Sequence, residues 1–172
     1  MHRLIIFLLV LTCAPMAHAA EISLDLEVPR LDVAEYHRPY IAIWIEREDA
    51  SVAVQLAAWY MQDTPGKGGE SGTQWLPDLR QWWRRGGRNL SLPVDGVTGA
   101  TRPVGVHKLR FDDSGALRDL AVGQYQIVIE AAREVGGREL LKLPLAWPPT
   151  EATQASIQGA HELGRIVLQT SP

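Results

Sequence analysis

The residues best suited to covalent chemistry in this sequence lie in the heptapeptide DGVTGAT, which begins at Asp95. Thr98 and Thr101 carry hydroxyl groups, and the carboxylate of Asp95 could hold a metal ion or orient the loop. A hydroxyl that takes part in covalent chemistry must be accessible, so its neighbours must be small. We expect Gly99 to adopt a backbone conformation closed to other residues, and Ala100 to keep bulk away from the hydroxyl beside it. The string is also typical of a simple turn between strands.

Short runs of alternating apolar and polar residues recur along the chain and predict an antiparallel, all-β fold. Seven segments have this pattern: 22–28, 40–47, 52–60, 104–111, 123–132, 139–146 and 162–169. One helix is predicted over 76–85, where Leu79 and Trp82 are spaced to share a face. Because crossover helices are missing, about seven strands and one short helix favour an immunoglobulin-like β-sandwich over a parallel sheet. The heptapeptide then connects the helix to the fourth strand.

Other chemistries find little support among the residues of the sequence. His37, His107 and His161 are far apart and lack the close spacing of a zinc site. Asp112 and Asp113 could bind a metal, but a turn of that composition is far more often merely polar. Neither a G-x-S-x-G motif nor a glycine loop of the P-loop type occurs, so no catalytic residue and no metal ligand is predicted.

The N-terminus of the sequence has the three parts of a secretory signal. Residues 1–19 predict a cleavable signal peptide, with Arg3 near the start, a short apolar run and an Ala-His-Ala cleavage site. The apolar run is too short for a permanent membrane helix, so we expect an exported protein in which 20–172 form a single β-sandwich domain. The only cysteine, Cys13, lies in the leader, which leaves the rest without disulfides. A net charge of −3 gives no indication of nucleic-acid binding.

The heptapeptide resembles the acceptor motif of covalently flavinylated bacterial proteins, D-x-x-[ST]-G-A-[ST]. Every fixed position of that motif is met, by Asp95, Thr98, Gly99, Ala100 and Thr101. In such proteins the last hydroxyl is esterified to the phosphate of FMN, so the resemblance implies covalent FMN on Thr101. It also implies that a flavin transferase recognises the other four residues.

The segment upstream of this motif, residues 74–88, contains three of the six tryptophans and four arginines. In a flavin protein, indole faces could stack against the isoalloxazine ring and guanidinium groups could pair with the phosphate. Trp82, Trp83 and Arg84 are therefore candidate flavin contacts. The alternative is that a tryptophan packs the helix onto the sandwich while the arginines are solvated. Because neighbours on a helix do not share a face, the two tryptophans should point to different sides.

Several longer stretches together resemble one family of secreted bacterial proteins, the periplasmic domain-of-unknown-function family 2271 (DUF2271). The stretches are AIWIE, LAAWY, WLPDLRQWWR, DGVTGATRPVG, GQY and EAAREVGGRELLKLPL, and they cover most of the chain after the leader. Members of this family belong to the cell envelope, often alongside PepSY-type membrane reductases and flavin transferases. The resemblance implies a periplasmic location and redox traffic across the membrane.

Together the two resemblances imply a secreted envelope flavoprotein that carries FMN covalently on Thr101 and transfers electrons with a membrane reductase. The flavin would perform the electron chemistry, so the protein would be an electron carrier or a reductase subunit rather than an independent enzyme. The alternative is a flavin-free, immunoglobulin-like binding or structural module of the periplasm. The strand pattern and the lack of a polar catalytic group favour that alternative.

Overall fold

The computed structural model describes residues 19–62 and 71–172, so all but the last residue of the predicted signal peptide, Cys13 included, lies outside the described residues. The described residues form nine strands: β1 (Glu21–Val28), β2 (Tyr40–Glu46), β3 (Val52–Tyr60), β4 (Thr98–Ala100), β5 (Gly105–Asp112), β6 (Gly123–Ala132), β7 (Arg138–Trp147), β8 (Thr153–Gln158) and β9 (Arg165–Ser171). A 3-10 helix (Gly72–Asp78), helix α1 (Arg80–Arg85) and a second 3-10 helix (Gly87–Asn89) lie between β3 and β4.

The strands form two sheets, which confirms the predicted all-β sandwich. One sheet has four strands in the order β5-β1-β9-β8, and the other has five in the order β4-β3-β2-β6-β7. All neighbouring strands run antiparallel except β3 and β4, which run parallel. Short β4 is therefore an edge strand of the five-stranded sheet, beside β3.

Each of the seven predicted strand segments corresponds to a strand, and β3 and β6 have the predicted bounds. Two further strands, β4 and β8, were not predicted, and both lie at sheet edges. β4 has only three residues, and β8 (TQASIQ) leaves most of its side chains exposed. Because neither strand has a buried face, neither has the alternation of apolar and polar residues by which strands are predicted from a sequence. The predicted helix over 76–85 is also only partly α-helical, because its first residues continue the 3-10 helix.

The main core lies between the two sheets. Alternate residues of β1, from Ile22 to Val28, point into it, as do Ile41, Ile43 and Ile45 of β2. Each fully buried side chain of this kind contributes about 1.5–3 kcal/mol relative to its exposed state. The alternation of β1 thus fixes which face of the four-stranded sheet turns inward, since a shift of one residue would expose the whole set.

A second core covers the outer face of the five-stranded sheet. Trp44 and Ala58 on the sheet pack against Leu76, Leu79 and Trp82 from the helical segment. β2 is therefore buried on both faces, which explains its uninterrupted apolar run IAIWI. The leucines and the tryptophan recur at every third residue, so one face of the segment docks on the sheet. The helical residues between β3 and β4 are thereby held on the outer face of β2, β3 and β6.

Glu130, on the outer face of β6, fixes the start of α1. Its two carboxylate oxygens accept hydrogen bonds from the backbone N–H groups of Gln81 (3.1 Å) and Trp82 (2.8 Å). Arg138 Nη1 lies 2.9 Å from the same carboxylate and balances its charge. The first N–H groups of a helix have no partners within the helix, so this buried carboxylate satisfies two of them.

Candidate functional site

The acceptor motif folds as a tight turn that leads into edge strand β4. The backbone N–H groups of Val97 and Thr98 donate to the carbonyl of Val94, at 3.1 and 2.9 Å. Thr98 Oγ1 also donates to that carbonyl and accepts from the Val94 N–H, both at 3.0 Å. Asp95 and Gly96 form the exposed tip of the turn, where Gly96 has φ +73°, a left-handed conformation that favours glycine. The Thr98 hydroxyl is thus engaged in holding its own turn.

Gly99 does not have the backbone conformation expected from the sequence. It lies in β4 beside Trp59 of β3, and its φ is outside the left-handed region. A Cβ at this position would meet Trp59 Cδ1 at 3.6 Å, which is ordinary contact. The expectation about its conformation was therefore wrong, and within the motif it is Gly96 that has the positive φ. Gly99 instead contributes a carbonyl, which accepts a hydrogen bond from Gln62 Nε2 at 3.2 Å.

Thr101 directly follows β4 and is half-buried. Its backbone N–H donates to the carbonyl of Tyr60 at 3.2 Å, which extends the pairing of β4 with β3 by one residue. Ala100 before it is exposed and small, as expected for a neighbour that leaves the hydroxyl accessible. The backbone at Thr101 is therefore held by the sheet, while its side chain lines a cavity beside the sheet.

This cavity, the Trp75 cavity, has a volume of about 520 Å³. It lies at the end of the five-stranded sheet where β2 begins and where β3, β4 and β6 end. Thr101, Trp75, Tyr40, Met61, Arg133 and Val135 are among its lining residues. Its volume falls within the range of about 300–1,000 Å³ that is typical of small-molecule sites. Thr101 thus borders a space in which a small molecule could fit.

Arg133 is the most unusual polar residue of the Trp75 cavity. Its side chain is only 5% exposed and forms a two-pronged ion pair with Glu162, with Nε and Nη2 at 2.7 and 3.2 Å from the carboxylate oxygens. Arg133 Nη1 is buried and has no hydrogen-bond partner among the described residues. A buried donor in this state costs about 1–3 kcal/mol. A ligand with a hydrogen-bond acceptor would remove that cost.

The rim of the Trp75 cavity combines exposed apolar surface with charges of both signs. Trp75 is 46% exposed, and Met61 and Val135 are also large apolar side chains that face solvent. Arg38 contributes a positive charge, and Asp78 and Glu134 contribute negative charges. His37 Nε2 lies 3.0 Å from Glu35, and its Nδ1 lies 3.4 Å from Glu134. The rim is therefore not a simple anion site, and its exposed surface suits a flat, partly apolar group.

A second cavity, the Trp59 cavity, is lined by residues of β3, β4 and β5 and has a volume of about 500 Å³. Thr98 and Gly99 line it, together with Trp59, Arg102 and His107. The Trp59 ring is already engaged, because Arg102 Cζ lies 5.1 Å from its centroid and the His107 ring meets it edge-on at 5.9 Å. Thr101 lines the Trp75 cavity and is not among the residues lining the Trp59 cavity.

The structure does not bring Trp82, Trp83 and Arg84 to the cavity that Thr101 lines. Trp82 is fully buried, and its indole N–H donates to Gln55 Oε1 at 2.8 Å. Trp83 is half-buried and, with Arg84, lines a third cavity of about 360 Å³. The two tryptophans differ in burial, but they do not point to opposite sides as predicted: their ring centroids lie 6.3 Å apart, and Trp83 packs against the cluster that contains Trp82.

Sequence reasoning noted the segment that contains Trp75 but did not single this residue out. The sequence signal that distinguishes Trp75 is the three-residue spacing of Leu76, Leu79 and Trp82, which form the buried face of the helical segment. Trp75 lies outside that spacing, so its side chain is not part of the buried face that packs on the sheet.

Within residues 19–62 and 71–172, no group of three or more His, Cys, Asp and Glu side chains is placed to hold a metal ion. Over the same residues, no helix is both long enough and apolar enough to cross a membrane.

Comparison with known proteins gives one match. The family model described as "Predicted periplasmic protein (DUF2271)" matches residues 21–165, which include β1 to β8, the three helices between β3 and β4 and the whole DGVTGAT heptapeptide. No match was found among curated proteins or among solved structures.

Proposed function

The chain belongs to the DUF2271 family of predicted periplasmic proteins, and on that basis we propose that it is an envelope flavoprotein with FMN attached covalently to Thr101. The observation that carries the proposal is the position of Thr101. The last hydroxyl of a complete acceptor motif is held at the end of an edge strand, where it borders a cavity of about 520 Å³. Export through the signal peptide of residues 1–19 is part of the same proposal.

The residues of the Trp75 cavity fit an FMN group. Arg133 Nη1 is a buried donor with no hydrogen-bond partner in the part of the chain that the structure describes, and both the phosphate and the ring system of FMN carry acceptors. The exposed indole of Trp75 offers an aromatic surface. A cavity of this size and mixed character is the usual form of a cofactor site.

Attachment is a phosphoryl transfer without a change in oxidation state. The Oγ1 atom of Thr101 forms a bond to the flavin-side phosphorus of a flavin adenine dinucleotide, the bond from that phosphorus to the bridging oxygen breaks, and AMP leaves. The hydroxyl proton passes to a base of the flavin transferase. Asp95 and Gly96 are exposed at the turn, so the transferase can approach the motif from the solvent side. Asp95, Thr98, Gly99 and Ala100 serve this recognition.

The attached FMN supplies the electron-transfer chemistry, and the chain supplies its attachment, orientation and electrostatic surroundings. The protein therefore acts as an electron carrier or as a subunit of an envelope reductase, with a PepSY-type membrane reductase as the proposed partner. The exposed rim formed by Met61, Trp75 and Val135 leaves one side of the cavity open to such a partner.

Intact-mass measurement after coexpression with a flavin transferase tests the attachment. The wild type should gain the mass of one FMN less water, Thr101→Ala should gain nothing, and Thr101→Ser should be modified because it retains a hydroxyl. Thr73→Ala, which removes an exposed threonine elsewhere, is the matched control and should be modified like the wild type. An unmodified wild type, or equal modification of Thr101→Ala, would refute the proposal.

A flavin-free binding module of the periplasm is the second candidate function. The exposed apolar side chains at the rim of the Trp75 cavity favour it, since such surface also suits a protein or peptide ligand. A purified protein that is colourless whether or not the transferase is coexpressed would support this candidate. A yellow colour that survives denaturation would support covalent flavin instead.

A further inference from the structure

We propose that the Trp75 cavity seats the isoalloxazine ring of the FMN on Thr101, with Trp75 stacked on the ring and Arg133 Nη1 donating a hydrogen bond to it. The inference rests on the proposed function and adds to it the two side chains that would hold the ring. Neither side chain was among the flavin contacts that the sequence suggested.

Among the tryptophans that the structure describes, Trp75 alone is exposed and also lines the cavity that Thr101 lines. We therefore select Trp75 as the stacking partner. The ring of Trp59 belongs to the other cavity and is covered by Arg102 and by His107. Trp82 has no exposed surface, and Trp83 lines a different cavity. A ring tethered through its phosphate and ribityl chain to Thr101 therefore meets Trp75 as its available indole partner.

Arg133 provides a fixed donor for the polar end of the ring. Two of its nitrogens are held by Glu162, and that carboxylate also accepts a hydrogen bond from the Gly137 N–H at 2.7 Å. The guanidinium is thus positioned before any ligand arrives. Nη1 is closed to solvent and has no partner among the described residues, so the ring must displace the atoms that cover Nη1 in order to accept its hydrogen bond. Because Glu162 already balances the charge of Arg133, the site suits a carbonyl oxygen of the ring better than a doubly charged phosphate.

The charges at the rim support the same orientation. Asp78 and Glu134 lie at the cavity with Arg38, so a phosphate inside it would meet two carboxylates. A neutral ring avoids that repulsion, and its apolar edge can contact Met61 and Val135. The phosphate then stays outside, at the Thr101 hydroxyl to which it is bonded.

Flavin fluorescence tests the stacking on protein whose FMN content has been established by intact mass. An indole stacked on a flavin quenches its emission by electron transfer, so emission per attached FMN should rise several-fold in Trp75→Ala. Trp83→Ala, which alters a half-buried indole at the third cavity, is the matched control and should keep the wild-type emission. Equal emission from the wild type and Trp75→Ala, with FMN attached to both, would refute the placement of the ring against Trp75 but not the proposed function. Absence of FMN from the wild type would overturn both.

The reduction potential of the flavin tests the part of Arg133. Arg133→Lys keeps a positive charge beside Glu162 but lacks Nη1. Its midpoint potential should fall, because a hydrogen-bond donor to the ring stabilises the reduced, electron-rich form more than the oxidised form. Arg118→Lys, the same replacement at an exposed arginine that does not line the Trp75 cavity, is the matched control and should keep the wild-type potential. A potential that is the same in Arg133→Lys and in the wild type would remove Arg133 from the seat.

Discussion

Glu139 should be one of the most sensitive polar positions of this protein, although it lies outside the acceptor motif. Its carboxylate, at the start of β7, accepts four backbone hydrogen bonds from the loop that precedes β9. Ala160 donates to Oε1 at 2.6 Å, and His161, Glu162 and Leu163 donate to Oε2 at 3.1, 2.9 and 2.8 Å. A single side chain thus satisfies four consecutive N–H groups, which have no other element to pair with in the sheets.

The loss on Glu139→Gln follows from this geometry. A glutamine oxygen placed at the Oε2 position keeps three bonds but makes them neutral, and the amide nitrogen then faces the Ala160 N–H with donor against donor. A hydrogen bond to a charged group contributes about 1.5–3 kcal/mol and a neutral one about 1 kcal/mol. Because the four bonds share one carboxylate and are not additive, we expect the free energy of unfolding to fall by about 2–4 kcal/mol.

Urea denaturation at neutral pH, followed by circular dichroism, measures this loss. For a chain of this size a loss of about 3 kcal/mol corresponds to a fall in Tm of about 6–12 °C. Glu151→Gln changes the charge equally at an exposed position between β7 and β8, and it should alter the unfolding free energy by less than about 0.5 kcal/mol. If Glu139→Gln and Glu151→Gln were equally stable, the assignment of Glu139 as the anchor of this loop would be wrong.

The same variant should also affect the Trp75 cavity from a distance. The loop that Glu139 holds contains Glu162, which in turn fixes the guanidinium of Arg133. Loosening the loop therefore frees Arg133 to move. In flavinylated protein we expect a lower midpoint potential in Glu139→Gln, in the same direction as in Arg133→Lys.

Three further predictions concern stability. Burial alone would raise the pKa of Glu139, but the four N–H groups outweigh it and hold that pKa below its ordinary value. The stabilising effect of Glu139 is therefore present above about pH 4.3 and is lost as the pH falls through the lowered pKa. The difference in urea midpoint between the wild type and Glu139→Gln should narrow on acidification, and a difference that widened instead would contradict this. Gly87→Ala should lower the unfolding free energy by about 1–3 kcal/mol, because its Cβ would lie 2.5 Å from the Trp82 ring. Gly115→Ala, whose Cβ would make only ordinary contact, should leave the unfolding free energy unchanged. Equal urea midpoints for the two variants would contradict the close packing of Gly87 against Trp82. Trp82→Ala should lower the unfolding free energy by about 3–5 kcal/mol, because Trp82 is fully buried. Trp75→Ala should lower it by less than about 1 kcal/mol, because Trp75 is exposed. Thermal melts in which Trp75→Ala is the less stable variant would contradict this difference in burial.

The main strands and the sandwich were predictable because their residues face either water or the core. The alternation of β1 and the apolar run of β2 directly record burial on one face and on both faces. Edge strands β4 and β8 bury few side chains, so their positions depend on backbone hydrogen bonds. The order of apolar residues in the sequence does not show these hydrogen bonds.

At the candidate site, the sequence pointed to Thr101 but not to its surroundings. Thr101 reaches the cavity because β4 pairs with β3, and Arg133 reaches it because β6 ends beside the start of β2. Such contacts join residues that are far apart in the chain, and local spacing carries no information about them. The buried glutamates were missed for a related reason. Glu130 occupies a polar, outward position of β6 that α1 covers, and a strand pattern alone cannot show that cover.

The direction of one three-residue strand decides which surroundings the acceptor hydroxyl has. Because β4 runs parallel to β3, the chain leaves both strands at the same end, and Thr101 emerges beside Met61 at the Trp75 cavity. An antiparallel β4 would release the same threonine at the opposite end of the strand, about 10 Å away at roughly 3.3 Å per residue. The parallel direction of β4 therefore brings the end of a short local motif to a cavity that distant parts of the chain form.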